Sequence, residues 1–324
     1  MNITLYAICK NEEENVGKFI ENSKKFYHTV VVDTGSTDNT VQLLKDAGIE
    51  VYEHSQSVEE FDFSKARNLA LSYITTDWAL SLDFNEDVDE LFSEGFEVIS
   101  NEFSKFHHLR FDDNETDEPV QSFEVHTRFH RTKNYKWINA VHEIPSFVST
   151  EDFPNEVSVD TTIKITKKIN RSIGKELFYL NIIERELKIN PNNSYYLWFV
   201  FNHYFNVRNT ERTIEYGQEY LNQSKSYFDT FRIPVLIRCS QVLLSIGDYQ
   251  KGANYAFHSV SEAMNLGEPY LSQAFSYLFE VSKKLNNPNI TIFASGFNPD
   301  TLSSPERQNA IDTIKNELNL LKYL

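Results

Sequence analysis

The chain is short of most features that would place it at once. Its 324 residues include two cysteines, Cys9 and Cys239, which fall in different expected domains. A pair so placed supports neither a disulfide framework nor a zinc site. No apolar run approaches the ~20 residues that a membrane-spanning helix needs. The N-terminus opens on a strand-like segment with no basic stretch before it, so the expected location is cytoplasmic. No G-x-G-x-x-G follows any strand-like segment, which argues against a dinucleotide-binding dehydrogenase. Basic residues are scarce too: 31 Lys and Arg stand against 47 Asp and Glu, a net charge of −16. Proteins that grip duplex nucleic acid replace counterions with many basic contacts, so a duplex is not an expected partner.

What is present is ample material for two cores, with 40% hydrophobic and 14% aromatic residues. The first half alternates strand and helix signals. Ile3–Cys9, Thr29–Asp33, Ile49–His54 and Trp78–Asp83 read as strands, separated by helical spacing over Asn11–Tyr27, Thr37–Ala47 and the segment opened by Ser64. Ser36 and Ser64 are placed to cap the second and third helices. Strand–helix repetition predicts an α/β domain with a mainly parallel sheet, and ligands in such sheets sit at the carboxyl ends of strands. Cys9, Asp33 and Asp83 each close a strand and should gather there. Val88–Phe106 then reads as helix, His107–Asp112 and Gln121–Arg131 as a hairpin, and Val157–Thr166 as a last strand. From Lys175 every segment reads as helix, through Pro305–Leu321, in pairs joined by short polar turns. The expected division is residues 1–168 for the α/β domain and 169–324 for an all-α helical-repeat domain.

Chemistry is most visible in Leu82–Asp87, LDFNED. Carboxylates on a turn after a buried strand suit a hard divalent cation, Mn²⁺ or Mg²⁺, beside phosphate oxygens. The same residues also suit an ordinary turn and helix cap, and the hexapeptide alone favours that plainer reading.

Four blocks in order change the balance: YAICKNEEENVGKFI, VVVDTGSTDNTVQLLKDAG, FDFSKARNLALSYITTDWALSLDFNED and RFHRTKNYKWINAVHE. Together they resemble family-2 glycosyltransferases of the GT-A fold, in the branch where that domain precedes tetratricopeptide-like repeats and which includes peptide S-glycosyltransferases. The resemblance covers about Thr4–His142 well and the helical half loosely. It implies an inverting transfer of sugar from a nucleotide-sugar, expected to be UDP-linked, to a peptide, protein or glycan. By the same resemblance Cys9 and Glu12 line the base and ribose, and Asp33 hydrogen-bonds the base. Arg67, helped by Lys65, lies near the base or diphosphate. Asp83 and Asn85 occupy the family's Asp-x-Asp motif, and His142 completes the metal site. Glu143 is the candidate general base. The helical half is expected to bind acceptor or form a homodimer, with Tyr195, Tyr196 and Trp198 as a stacking wall or as core. His126, His130 and Trp137 read as framework or as an acceptor-side wall.

One departure stands out. Asn85 replaces the second motif acid, which removes a charge from the metal position, and Glu86 or Asp87 would have to take its place. The alternative reading is a catalytically weakened binding protein whose repeats recruit a partner. A nucleotidyltransferase ranks below both, because CKNEEEN stands where a Gly-rich basic loop would hold a triphosphate.

Overall fold

The computed structural model describes residues 2–88, 104–113, 123–168, 174–223, 229, 231–266 and 270–285. It divides into two compact units, Met1–Ile182 and Ile183–Leu324.

The first unit is built on an eight-stranded mixed sheet in the order β3-β2-β1-β4-β7-β6-β10-β5. The strands are β1 (Ile3–Cys9), β2 (His28–Asp33), β3 (Glu50–Glu53), β4 (Trp78–Ser81), β5 (Glu86–Val88), β6 (Lys105–Asp113), β7 (Phe123–Arg131) and β10 (Ser158–Lys168). A separate ribbon pairs β8 (Tyr135–Ile138) with β9 (Ile144–Phe147). The first four strands run parallel, β7 pairs antiparallel with β4 and β6, and β5 pairs antiparallel with β10.

The β-branched and apolar runs of β1 and β2 follow from burial on both faces. Leu5, Ala7 and Val31 face one layer with Val16 and Phe19 of α1 (Glu13–Ser23) and Leu44 of α2 (Thr40–Asp46). Tyr6, Val30 and Val32 face the other layer with Ala66, Ala70 and Leu71 of α3 (Phe63–Ser72). Successive residues of a strand point to opposite faces, so each strand supplies both cores. Strand order reverses between β1 and β4, and the crevice beyond their carboxyl ends is where such sheets bind ligands.

Several boundaries differ from the sequence reading. The first helix starts at Glu13 because Asn11 takes a left-handed φ of 56°, a conformation asparagine tolerates. Ser36 caps nothing; its hydroxyl and N–H both turn back to Asp33, and α2 begins only at Thr40. Asp62, not Ser64, caps α3, accepting the Lys65 N–H at 3.0 Å. The expected helix over Val88–Phe106 is contradicted at both ends, since Val88 closes β5 and Phe106 lies in β6. Residues 89–103 between them lie outside the described residues, as does Pro305–Leu321. The expected hairpin and last strand are β6–β7 and β10.

Helices then follow: α4 (Lys175–Ile189), α5 (Ser194–Asn206), α6 (Thr210–Gln223), α7 (Arg232–Ser245), α8 (Tyr249–Leu266) and α9 (Tyr270–Lys284). The boundary between the units falls inside α4. In the second unit Ile233, Ile237 and Leu244 of α7 share a core with Phe257 and Val260 of α8 and Leu271, Phe275 and Leu278 of α9. Of the helical aromatics, Tyr196 is buried and the Trp198 ring lies tilted against Phe231, 4.6 Å between centres. No helix of the described residues is long and apolar enough to cross a membrane.

Candidate active site

Parallel pairing brings Cys9 opposite Asp33 at the ends of β1 and β2. Asp33 is 3% exposed. Its carboxylate accepts the N–H groups of Gly35 and Ser36, each at 3.0 Å, and the Cys9 thiol at 3.5 Å. Gly35 makes the turn at φ +109°, which an L side chain rarely adopts. Asp33 therefore anchors this turn, whatever else it binds. Asn11 ties the neighbouring CKN turn to it, donating its N–H to Ser36 Oγ at 2.9 Å and accepting the Thr37 N–H at 2.7 Å. Burial, and then the Asp33 carboxylate, push the Cys9 thiol far up, so it stays protonated and is no nucleophile. Glu12 follows on the same turn and accepts Asn15 Nδ2 at 2.7 Å; burial raises its pKa.

Asp83 lies just past β4, at the crevice. Arg67 reaches it from α3 and organises the site. Its guanidinium donates to Asp83 Oδ1 at 2.8 Å, Ser81 Oγ at 2.7 Å and Glu143 Oε1 at 2.7 Å. Its face lies 4.8 Å from the Trp137 ring. Trp137 is pinned in turn: its indole N–H donates to Tyr6 Oη at 2.7 Å, and Tyr6 Oη is 3.0 Å from His130 Nε2. Burial lowers the His130 pKa to about 4. The ring is neutral, Nδ1–H donates to the Arg131 carbonyl at 3.2 Å, and Nε2 accepts from Tyr6.

Two cations that sequence reading missed complete the cluster. Arg128 follows the Leu80–Phe129 pairing of β4 with β7 by one residue, and Lys167 sits opposite Glu86 where β10 meets β5. Each lies 3.3 Å from Asp83 Oδ2, and Arg128 also donates to Glu86 Oε2 at 2.9 Å. Burial alone would raise the Asp83 pKa, but Arg128, Arg67 and Lys167 together hold it well below the usual carboxylate range. Glu86 is 1% exposed and accepts the Asp83 N–H at 2.8 Å. Alternation along β5 turns Asp87 outward, 3.6 Å from Lys18 and 3.7 Å from Lys25. Neither acid replaces the charge that Asn85 lacks.

The remaining sequence candidates divide. Glu143 joins the cluster through Arg67. His142 has a left-handed φ of 53° and sets its ring 5.5 Å from Tyr179 of α4. Burial lowers its pKa. Lys65 points away: its side chain is 70% exposed and its ammonium pairs with Asp62 at 3.7 Å. The His126 side chain lies outside the described residues. No signal short of tertiary pairing marks Arg128 or Lys167, since each is one more charge on an alternating strand.

The fit to a divalent cation is partial. Asp83 and Asn85 offer two hard oxygens on one turn, the number such an ion takes when a diphosphate supplies others. Among the described residues, however, no three His, Cys, Asp or Glu side chains group as a metal site. Three side-chain cations already occupy Asp83.

Residues 4–148 match the family described as glycosyl transferase family 2. The chain therefore carries a family-2 glycosyltransferase domain. Glycosyltransferase SunS of Bacillus subtilis (strain 168), described as SPbeta prophage-derived, is 24% identical over 269 residues, 76% of this chain and 60% of its own length. Lipopolysaccharide core biosynthesis glycosyltransferase LpsC of Rhizobium meliloti (strain 1021) is 31% identical over 98 residues, 28% of this chain and 34% of its own. The chain thus spans less than two thirds of the length of these curated relatives. Among solved structures, S. aureus TarS 1–349 aligns with 89% of this chain and 92% of its own, at 14% identity and a TM-score of 0.41. That fragment has also been solved with UDP and with UDP-GlcNAc.

Proposed function

We propose that the chain transfers a sugar from a UDP-sugar to a hydroxyl or thiol acceptor with inversion at the anomeric carbon. One observation carries this reading: the Arg67 guanidinium ties Asp83 and Glu143 together at the carboxyl edge of the sheet, inside the family-2 domain. In this reading Glu12, Cys9 and Asp33 line the uridine, and Asp83 faces the ribose and diphosphate. Glu143 Oε1 is held by Arg67, while no hydrogen bond to its Oε2 is made by the described residues. Oε2 is then the atom that takes the acceptor proton as the acceptor attacks. The anomeric C–O bond breaks at the same time and its electron pair leaves on UDP. Arg67 fixes the base without supplying a proton, because a guanidinium keeps its own.

A Mn²⁺ or Mg²⁺ brought in with the diphosphate would be held by Asp83 and Asn85, with His142 beside them, and would neutralise charge on the leaving group. The helical unit is read as the acceptor-binding or self-associating part, with the functional boundary near residue 168. Titration calorimetry with UDP and UDP-sugars in Mn²⁺, followed by UDP-release assays, tests the reading. It fails if neither ligand binds and Asp83→Ala changes nothing. The three cations already on Asp83 and the neutral Asn85 favour a second reading, a binding protein that keeps the site without turnover. Transfer or hydrolysis of any nucleotide-sugar in a panel would remove it.

A further inference from the structure

In the second unit Arg185, Arg212 and Arg232 each reach a glutamate within 2.8 Å. Arg238, half-buried on α7, does not. Among the described residues no carboxylate lies within ion-pair distance of it and nothing accepts a hydrogen bond from it; burial lowers its pKa. Its contacts are aromatic: the guanidinium carbon lies 5.7 Å from the centre of the Trp198 ring and 5.0 Å from that of Phe205. Both rings belong to α5, and a spacing of seven residues is two turns, a rise of about 10.5 Å. The two contacts together span that rise, so the guanidinium lies between the rings, level with the turn that carries Asn202. Trp198 is held in place by Phe231 at 4.6 Å and Tyr220 at 6.1 Å. Asn202 supplies an independent observation. Its Nδ2 donates to the Trp198 carbonyl at 2.7 Å, which fixes the orientation of the amide. Oδ1 is buried and accepts no hydrogen bond among the described residues. Nearly all buried polar atoms have a partner, so this acceptor still lacks its donor.

A guanidinium flanked by aromatic rings keeps its N–H groups in a planar fork that matches a carboxylate. The face between α5 and α7 thus offers a fork of donors and, on the adjoining turn, one open acceptor. A peptide carries the complement, a carboxylate with a main-chain N–H a few bonds away. A phosphate ion would satisfy the arginine and leave Asn202 Oδ1 without a donor. We propose that this face binds a peptide segment by its carboxylate, with Arg238 taking the carboxylate, Asn202 Oδ1 taking an N–H, and Trp198 and Phe205 forming the walls. The site lies wholly in the second unit and stands apart from the nucleotide-sugar reading. It rests on the acceptor-binding reading of the helices only in identifying the bound peptide with the acceptor. The net charge of −16 makes the chain as a whole repel acidic peptides, so a preference for them requires a specific cation.

Arrays of paired heptapeptides test this, each pair differing by Asp or Glu against Asn or Gln and printed with both free and amidated carboxyl termini. The whole chain is applied as wild type, Arg238→Gln and Arg238→Lys. The expected result is a preference of about tenfold for the carboxylate member of a pair, the worth of one charge-assisted fork. The free and amidated series separate a terminal carboxylate from a side-chain one. Arg238→Gln should lose the preference while its far-ultraviolet circular dichroism and its UDP binding match the wild type. Arg238→Lys keeps the charge without the fork and should retain less than half of the preference. No preference for acids in the wild type, or the same preference in Arg238→Gln, would overturn the proposal. Should Arg238→Gln unfold, a full preference in Arg238→Lys would overturn it. Tighter binding of phosphoserine than of glutamate at the same position would assign the face to phosphate and also overturn it. Failure of the wild type to bind UDP would overturn the nucleotide-sugar reading and leave this one standing.

Discussion

Replacing Arg67 by methionine removes a guanidinium that is 4% exposed and donates to two carboxylates and a hydroxyl. Methionine keeps much of the stem volume and can still rest on Trp137, so the loss falls on the charge. Asp83 keeps Arg128 and Lys167, but Glu143 has no other ion pair among the described residues and becomes a half-buried charge facing Asp83. Breaking a buried ion pair by removing one partner costs about 3–5 kcal/mol. For a unit of this size each kcal/mol moves the melting midpoint by roughly 2–4 °C, so the expected drop is about 10 °C at pH 7. Trp78 and Trp137 both lie in the first unit and make near-ultraviolet circular dichroism a suitable probe. The acid side gives an independent check. Asp83 has its folded pKa lowered, so its stabilisation is present above the unfolded value and lost as pH falls through the folded one. With one of its cations gone this contribution shrinks, so the gap between wild type and variant should narrow toward pH 3. Arg67→Lys should recover less than half of the loss, because one ammonium cannot span three acceptors held by a planar fork. A midpoint within 2 °C of the wild type in Arg67→Met would refute the reasoning that this guanidinium holds the site together.

Other outcomes follow from the same geometry. The His130 pKa of about 4 lies below the free value, so the unfolded chain binds the extra proton first and stability falls as pH drops from about 6.5 to 4. That contribution is about 3 kcal/mol, and His130→Gln should flatten the slope of denaturation midpoint against pH in this window. Tyr6→Phe removes the hydroxyl that joins His130 to Trp137 and leaves a buried indole N–H without its acceptor. It should cost about 1–3 kcal/mol in urea denaturation. In the second unit a Cβ on Gly217 would lie 2.5 Å from Cys239 Sγ and 3.1 Å from Phe201. Gly217→Ala should therefore destabilise by about 1–3 kcal/mol despite its better helix propensity, as measured by thermal melting followed at 222 nm. Mn²⁺ alone should give no measurable heat with the wild type, because three side-chain cations occupy Asp83. Binding without nucleotide would show that these pairs yield to the ion.

The sequence by itself determined the strand–helix alternation, the two-part organisation and the strand ends at Cys9 and Asp33, while Asp83, expected to close the fourth strand, falls two residues past its end at Ser81. Those features are local: β-branched runs and 3.6-residue spacing act within a few residues, and consecutive parallel strands bring their ends to one edge. Helix starts were legible less well, because a cap depends on which of several nearby polar residues wins the backbone N–H groups. Asp62 outcompeted Ser64, and Asp33 drew Ser36 away from α2. Tertiary structure alone decided the partners of Asp83. Arg128 arrives through antiparallel register between β4 and β7, and Lys167 through pairing of β10 with β5, across separations that no spacing rule connects. The same long-range packing set Lys65 into solvent while Arg67, two residues on, was buried. It also set Tyr179, which the sequence assigned to the helical half, edge-on against His142 and Phe63. A side chain's type is written locally, but its electrostatic partner depends on which strands close beside it.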